Sequence, residues 1–188
     1  MRTQVGIIGA GPAGLMLARL LHMQGISSII VENRSREYIE NRIRAGLIED
    51  WAADLLIDVG VGERMQAEGM LHWGINIGIN GELHRIDFKK LVDKRVTIYG
   101  QQEVVKDLVA RRLADGGPLL FEVDGVSVHD MTSQHPKIRF THEGKAQEID
   151  CDIVAGCDGF HGICRPSFPE GVLNVFERDY PFGWLGIL

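Results

Sequence analysis

The sequence is poor in cysteine, proline and aromatic residues, carries no excess of positive charge, and has no long uninterrupted apolar run. Its three cysteines fall between Cys151 and Cys164. An odd number crowded into one stretch does not make a secreted disulfide framework, so a reducing, cytoplasmic setting is expected. With 20 Lys and Arg against 26 Asp and Glu, the net charge of −6 gives no chain-wide attraction to nucleic acid or anionic lipid. The uncharged stretch 3–18 is interrupted by Gly6, Gly9, Gly11, Pro12 and Gly14. It therefore fits neither the apolar core of a signal peptide nor the roughly 20 residues of a membrane helix. Cys157, His161 and Cys164 lack the paired thiolates and fourth ligand of a zinc site, so no metal is expected and the cysteines read as packed residues. What remains is 188 residues, 45% hydrophobic and 24% charged, the composition of a globular protein with room for a core.

Apolar periodicity orders the chain. Residues 4–8 form a β-branched run buried on both faces. A helix is predicted over 12–24, with Leu17, Leu20 and Leu21 at i, i+3 and i+4 and Gly25 as its stop. A second buried strand over 28–32 completes a β-α-β unit. Residues 33–46, with Arg34, Arg36, Arg42 and Arg44, read as loop and short helix, and helices are predicted over 47–59 and 62–68. Leu71, Trp73, Ile75, Ile77 and Ile79 alternate, predicting one half-buried strand, and Asn80-Gly81 is a type I′ hairpin signal leading into 83–87. A strand is expected at 96–99 and a helix at 102–114, with Val105, Leu108 and Val109 on one face. After Gly116-Gly117-Pro118 come strands at 119–123, 126–129, 138–141 and 149–155. The sequence stops on the apolar, strand-like run 180–188, which predicts the N-terminal part of a longer protein, a docked last strand being the alternative.

Gly9-Ala10-Gly11-Pro12-Ala13-Gly14 fits G-x-G-x-x-G, directly after a predicted strand and opening a predicted helix. In that context Gly9 allows the tight turn, Gly11 leaves room for a pyrophosphate, and Gly14 lets helix and strand approach. Glu32 ends the second strand eighteen residues after Gly14, where a carboxylate reaches an adenosine ribose and repels a 2′-phosphate. The loop therefore calls for FAD or NAD rather than NADP. Alone, a carboxylate at a strand end is ordinary. Arg42 and Arg44 read equally as solvated loop charges or as pyrophosphate contacts.

The segments QVGIIGAGPAGLMLARLL, RIRAGLIE (Arg42 to Glu49), YGQQEV (Tyr99 to Val104) and DCDIVAGCDGFHGICR (Asp150 to Arg165) resemble the FAD-dependent aromatic hydroxylases, and the resemblance runs along the whole chain. It implies an α/β, Rossmann-like FAD-binding domain with a parallel sheet over 1–177. An antiparallel hairpin region is inserted at about 71–99, and 178–188 begins a substrate domain that is truncated. The cofactors implied are FAD and NADPH, and the reaction is oxygen transfer from O2 to a small aromatic acid, 4-hydroxybenzoate. Asn33-Arg34 stands where pseudomonad relatives have an Arg-Gln pair, which keeps NADH open as the reductant.

Residue by residue, the resemblance places Gly9, Gly11, Pro12, Ala13, Gly14, Glu32, Asp158 and Gly159 at FAD, with Arg42, Ile43, Arg44, Ala45, Gly46, Leu47 and Gln102 lining the flavin. Arg34, Tyr38, Arg42, Arg44 and His161 are implied for the nicotinamide nucleotide, and His72 for a relay that deprotonates the phenol. Without it, Gln102 is a helix-start residue, His161 a turn residue and His72 a strand-edge histidine. A homodimer is the family's expectation, and the fragment alone is expected to be inactive. The glycine loop and Glu32 by themselves also permit another FAD- or NAD-dependent oxidoreductase, or a non-catalytic dinucleotide-binding fragment.

Overall fold

The computed structural model describes residues 1–185. In chain order its elements are β1 (Val5–Ile8), α1 (Pro12–Met23), β2 (Ser28–Val31), α2 (Arg36–Asn41), β3 (Leu47–Glu49), α3 (Asp50–Asp58), α4 (Glu63–Glu68), β4 (Met70–His72), β5 (Gly74–Ile79) and β6 (Glu82–Asp87). They continue with α5 (Phe88–Val92), β7 (Val96–Ile98), α6 (Gln101–Ala114), β8 (Leu119–Leu120), β9 (Asp124–His129), β10 (Lys137–His142), β11 (Lys145–Asp150) and β12 (Ile153–Gly156). The chain divides into two compact units, one made of Met1–Ile39 with the residues from Arg112 onward, the other of Glu40–Arg111.

The first unit is built on a parallel sheet in the order β12-β1-β2-β8. Every residue of β1 and β2 is buried, as continuous apolar runs between two covered faces should be. A second, antiparallel sheet, β11-β10-β9, shares its core: Ile8, Ile29, Val31, Val123, Ile138, Phe140, Ile149 and Cys151 form one cluster. The single strand expected over 149–155 is two. Cys151 N–H donates to Pro136 O at 2.9 Å, while Asp152 and Ile153 N–H both donate to Gln4 O at 3.0 Å, so the chain changes sheets between Cys151 and Asp152. The face α1 buries also differs from the leucine stripe of the sequence: Gly14, Leu15 and Ala18 are buried, whereas Leu20 is exposed. Gly14 and Ala18 let the helix lie close to its neighbours, and Leu15 is the one leucine that this face buries.

Arg112 is buried in this unit and donates to Ser28 O at 2.5 Å and Pro118 O at 3.1 Å, pinning the entry of β2 to that of β8. After β12 the only regular element among the described residues is a 3-10 turn at Arg165–Ser167. Of the strand-like run expected at 180–188, residues 180–185 form no strand, and 186–188 lie outside the described residues.

The second unit contains the antiparallel sheet β3-β7-β4, the hairpin β5-β6 and the helices from α3 to most of α6. Residues 47–49, expected to start a helix, instead pair with β7, and the helix begins at Asp50. The alternating run 71–79 is cut at Trp73, whose carbonyl accepts from Phe88 N–H at 2.9 Å; β4 pairs with β7 and β5 with β6. Nor is it half-buried throughout, for Ile75, Ile77 and Ile79 are all exposed. Asn80 and Gly81, at φ 53° and 84°, make the two-residue reversal between Ile79 and Glu82 that the type I′ signal requires. Helix α5, which the periodicity does not show, is capped by Asp87 accepting from Lys90 N–H at 3.0 Å. Val105, Leu108 and Val109 are buried on α6.

Candidate functional site

Strands β1 and β12 end side by side. Ile8 pairs with Gly156, and Cys157 N–H donates to Ile8 O at 2.7 Å. Gly9 then turns with φ 105°, and a Cβ at this position would strike the Cys157 carbonyl. The glycine loop and the Cys157-Asp158-Gly159 turn therefore meet at the carboxyl ends of the parallel strands. β1 has β2 on one side and β12 on the other, the place where open α/β sheets receive ligands.

The glycines of the loop answer to different demands. A Cβ on Gly14 would collide with Gly9 O, so the first turn of α1 touches the loop. A Cβ on Gly11 would meet nothing within 4 Å. Gly11 is the extended N-cap of α1, with Pro12 following and no side chain bonded to the cap. The space beside Gly11, at the positive end of the helix, is thus open. Packing within the protein gives no reason for glycine at 11, and an anionic ligand crossing the helix end does.

Glu32 is buried, and its carboxylate bridges two backbone segments. Oε2 accepts from Ala10 N–H at 2.8 Å and Oε1 from Arg34 N–H at 2.8 Å. Ala10, an unspecified position in the motif, is a backbone donor to Glu32 that the pattern alone does not single out. The exposed Arg34 guanidinium lies 5.1 Å from the centroid of the Tyr38 ring. Asp158 Oδ2 accepts from Cys164 N–H at 2.9 Å, which fixes the turn that carries it. Burial pushes the Cys164 thiol up to about 12, with Asp158 adding to the effect, and pushes Cys151 up to about 11 and Cys157 upward. Gly159 and His161 are exposed, the imidazole edge-on to Phe160 at 4.9 Å. Among the described residues no group of three or more His, Cys, Asp or Glu side chains could hold a metal, and no helix is long and apolar enough to cross a membrane.

The second unit gathers two of its implied flavin residues and leaves the others at the surface. Tyr99 N–H donates to Gly46 O at 2.7 Å, and a Cβ on Gly46 would lie 2.6 Å from both Tyr99 O and Gly100 Cα. Gln102 packs against Gly100, and its Oε1 is buried with no hydrogen-bond partner. A buried acceptor without a donor is costly unless a ligand supplies one. Arg42, Ile43, Arg44, Ala45 and Leu47 are exposed, as is His72 on β4 opposite Val96. Within the first unit, the open space at Gly11 is a feature that the diphosphate of a dinucleotide such as FAD fits. Within the second unit, the orphaned oxygen of Gln102 is an acceptor that a ligand's donor fits.

The model of the FAD binding domain family matches residues 2–188. The chain belongs to this family. It is 47% identical over its whole length to p-hydroxybenzoate hydroxylase of Acinetobacter baylyi, of which it covers 46%. A 12-dehydrotetracycline 5-monooxygenase/anhydrotetracycline 6-monooxygenase of Streptomyces rimosus is 28% identical over 85% of the chain and 31% of that relative. Among solved structures, PqsL of Pseudomonas aeruginosa in complex with 2-aminobenzoylacetate matches with a TM-score of 0.79 and 20% identity, covering 96% of this chain and 49% of that one. At that identity the likeness is one of fold. The chain thus spans about half the length of the curated relative that it matches from end to end.

Proposed function

We propose that the full-length protein containing this FAD-binding domain is a p-hydroxybenzoate hydroxylase (4-hydroxybenzoate 3-monooxygenase), converting 4-hydroxybenzoate to 3,4-dihydroxybenzoate with NADPH and O2. The observation that carries this reading is the 47% identity along the entire chain, against 28% or less for relatives named for other aromatic substrates. Residues 1–177 form the FAD-binding domain, with the hairpin region at about 71–99 inserted and 178–188 leading into the substrate domain. Cytoplasmic location and a homodimer complete the proposal.

Bound FAD supplies the electron transfer and the oxygen chemistry. Gly9, Gly11, Pro12, Ala13 and Gly14 hold its diphosphate at the amino end of α1, Glu32 accepts from the adenosine ribose, Asp158 accepts from a sugar or ribitol hydroxyl, and Gly159 lets the backbone come close to the cofactor. Arg42, Ile43, Arg44, Ala45, Gly46 and Leu47 line the flavin, and Gln102 Oε1 accepts the donor that it lacks within the protein. Arg34, Tyr38, Arg42, Arg44 and His161 receive the nicotinamide nucleotide, the guanidinium groups matching its phosphates. His72 passes the phenol proton to solvent. The 188-residue chain alone does not hydroxylate in this scheme, because the groups that grip the aromatic acid belong to the rest of the full-length protein.

The test is the absorbance spectrum and turnover of the purified full-length protein. A yellow chromophore perturbed by 4-hydroxybenzoate, with NADPH consumed as 3,4-dihydroxybenzoate forms, is the expected result. Bound NAD without flavin would point to a different oxidoreductase, and a flavin indifferent to 4-hydroxybenzoate would reject the substrate.

A further inference from the structure

We infer that Glu122 is a positioning residue for Arg34 and through it tunes recognition of the nicotinamide nucleotide; this rests on the proposed assignment of Arg34 to that nucleotide. Both polar groups of Arg34's backbone are held. Its N–H donates to Glu32 Oε1 at 2.8 Å, and its carbonyl accepts from Glu122 N–H at 3.2 Å. The same short segment is fastened twice more, by Glu32 N–H to Leu120 O at 2.8 Å and by Val123 N–H to Glu32 O at 3.1 Å.

The backbone of Glu122 makes this clasp. Its φ is 57°, in the left-handed region that a residue with a side chain seldom enters. The other non-glycine residues with positive φ among those described each reverse or end an element: Asn80 in the β5-β6 turn, Asp93 after α5, Asp130 after β9 and Glu143 between β10 and β11. Glu122 lies in the bend between β8 and β9. In a regular strand successive N–H groups point to opposite edges. The left-handed residue breaks that alternation, so the N–H groups of Glu122 and Val123 both reach back to the segment 32–34. Nothing in the sequence marks the position, which the apolar pattern places inside a strand over 119–123.

Arg34 is a long, exposed side chain whose charge lies 5.1 Å from the Tyr38 ring. Where that charge sits depends on the peptide that launches it. A residue at 122 that refuses the left-handed conformation withdraws a donor from the Arg34 carbonyl and tilts the peptide, whereas glycine adopts the conformation freely.

The experiment is a double-mutant cycle in the full-length holoenzyme, with KM for NADPH and kcat measured at saturating 4-hydroxybenzoate. Glu122→Val is expected to raise the KM about threefold to tenfold with little change in kcat, and Glu122→Gly to stay near the unmodified protein. In an Arg34→Gln background, itself raised in KM, Glu122→Val should add nothing further. An unchanged KM in Glu122→Val, or a full additional rise in the Arg34→Gln background, overturns the inference while leaving the role of Arg34 intact. An unchanged KM in Arg34→Gln removes that role and the inference with it. Amide hydrogen exchange of the unmodified protein gives a check that needs no variant: the Glu122 N–H is expected to be protected, and exchange at the rate of a free loop contradicts the clasp.

Discussion

The Glu32 carboxylate joins the glycine loop to the turn after β2, accepting from Ala10 N–H at 2.8 Å with one oxygen and from Arg34 N–H at 2.8 Å with the other. A buried carboxylate spanning two backbone donors serves the fold before any ligand arrives. It also fixes its remaining lone pairs beside the loop, where a ribose hydroxyl can donate to them.

Replacing this group separates the two duties. Glu32→Gln keeps the shape but exchanges one acceptor oxygen for an NH2, so one of the two N–H groups loses its partner. The full-length apoprotein should lose about 1–3 kcal/mol of stability, seen as a lower midpoint in urea, and FAD should bind more weakly. A variant as stable as the unmodified protein would show that the bridge contributes little.

Gly14→Ala places a methyl group against Gly9 O, and that contact can be relieved only by moving α1 or the loop. The expected cost is about 1–3 kcal/mol, the range for overpacking a tight contact. Thermal unfolding of the apoprotein checks it, and an unshifted midpoint would mean that the loop yields without penalty.

Arg64 bonds to Glu103 and Asp107, each at 2.6 Å, and Lys106 bonds to Glu103 at 2.7 Å; Tyr99 OH also donates to Asp107, at 2.7 Å. The Lys106 and Arg64 cations hold the Glu103 carboxyl below its ordinary value of 4.5, and burial with Asp107 alongside raises the Tyr99 hydroxyl. A depressed acid contributes stability that is complete above its unfolded pKa and is lost as pH falls through its folded one. Stability should therefore decline below about pH 4.5. Glu103→Gln should flatten that decline in urea titrations from pH 6 to pH 3, about the span over which a carboxylate of this kind titrates. An identical acid limb in the variant would locate the sensitivity elsewhere.

Much of the first unit was legible because its signals are local. Two continuous apolar runs gave β1 and β2, the glycine spacing gave the loop, and the separation of Glu32 from Gly14 put a carboxylate where it touches that loop. Asn80-Gly81 announced its turn because both residues tolerate positive φ. Where the chain changes partners the pattern failed. Alternation carries straight through Trp73, and a strand-like pattern of Ile149, Cys151 and Ile153 alternating with Asp150 and Asp152 runs on to Ala155, although in each case the strand moves to another sheet. Hydrogen bonds to Phe88, Pro136 and Gln4, far away in sequence, decide those breaks. The leucine stripe of α1 misplaced its buried face, which Gly14, Leu15 and Ala18 form instead. The donors at Ala10 and Glu122 are backbone groups, which side-chain patterns do not report.

The central claim is that the amino end of α1, across Gly11, holds a dinucleotide's diphosphate, and Gly11→Ala tests it most directly. The added methyl meets no protein atom within 4 Å, and φ −73° suits alanine. Reduced freedom of the unfolded chain favours the variant while alanine is a poor N-cap, so the two effects offset to within about 1 kcal/mol. FAD titrated into the apo forms of the full-length protein and its variant should bind the variant about tenfold or more weakly, with apoprotein stability nearly unchanged. Equal FAD affinity in the two proteins would contradict the account.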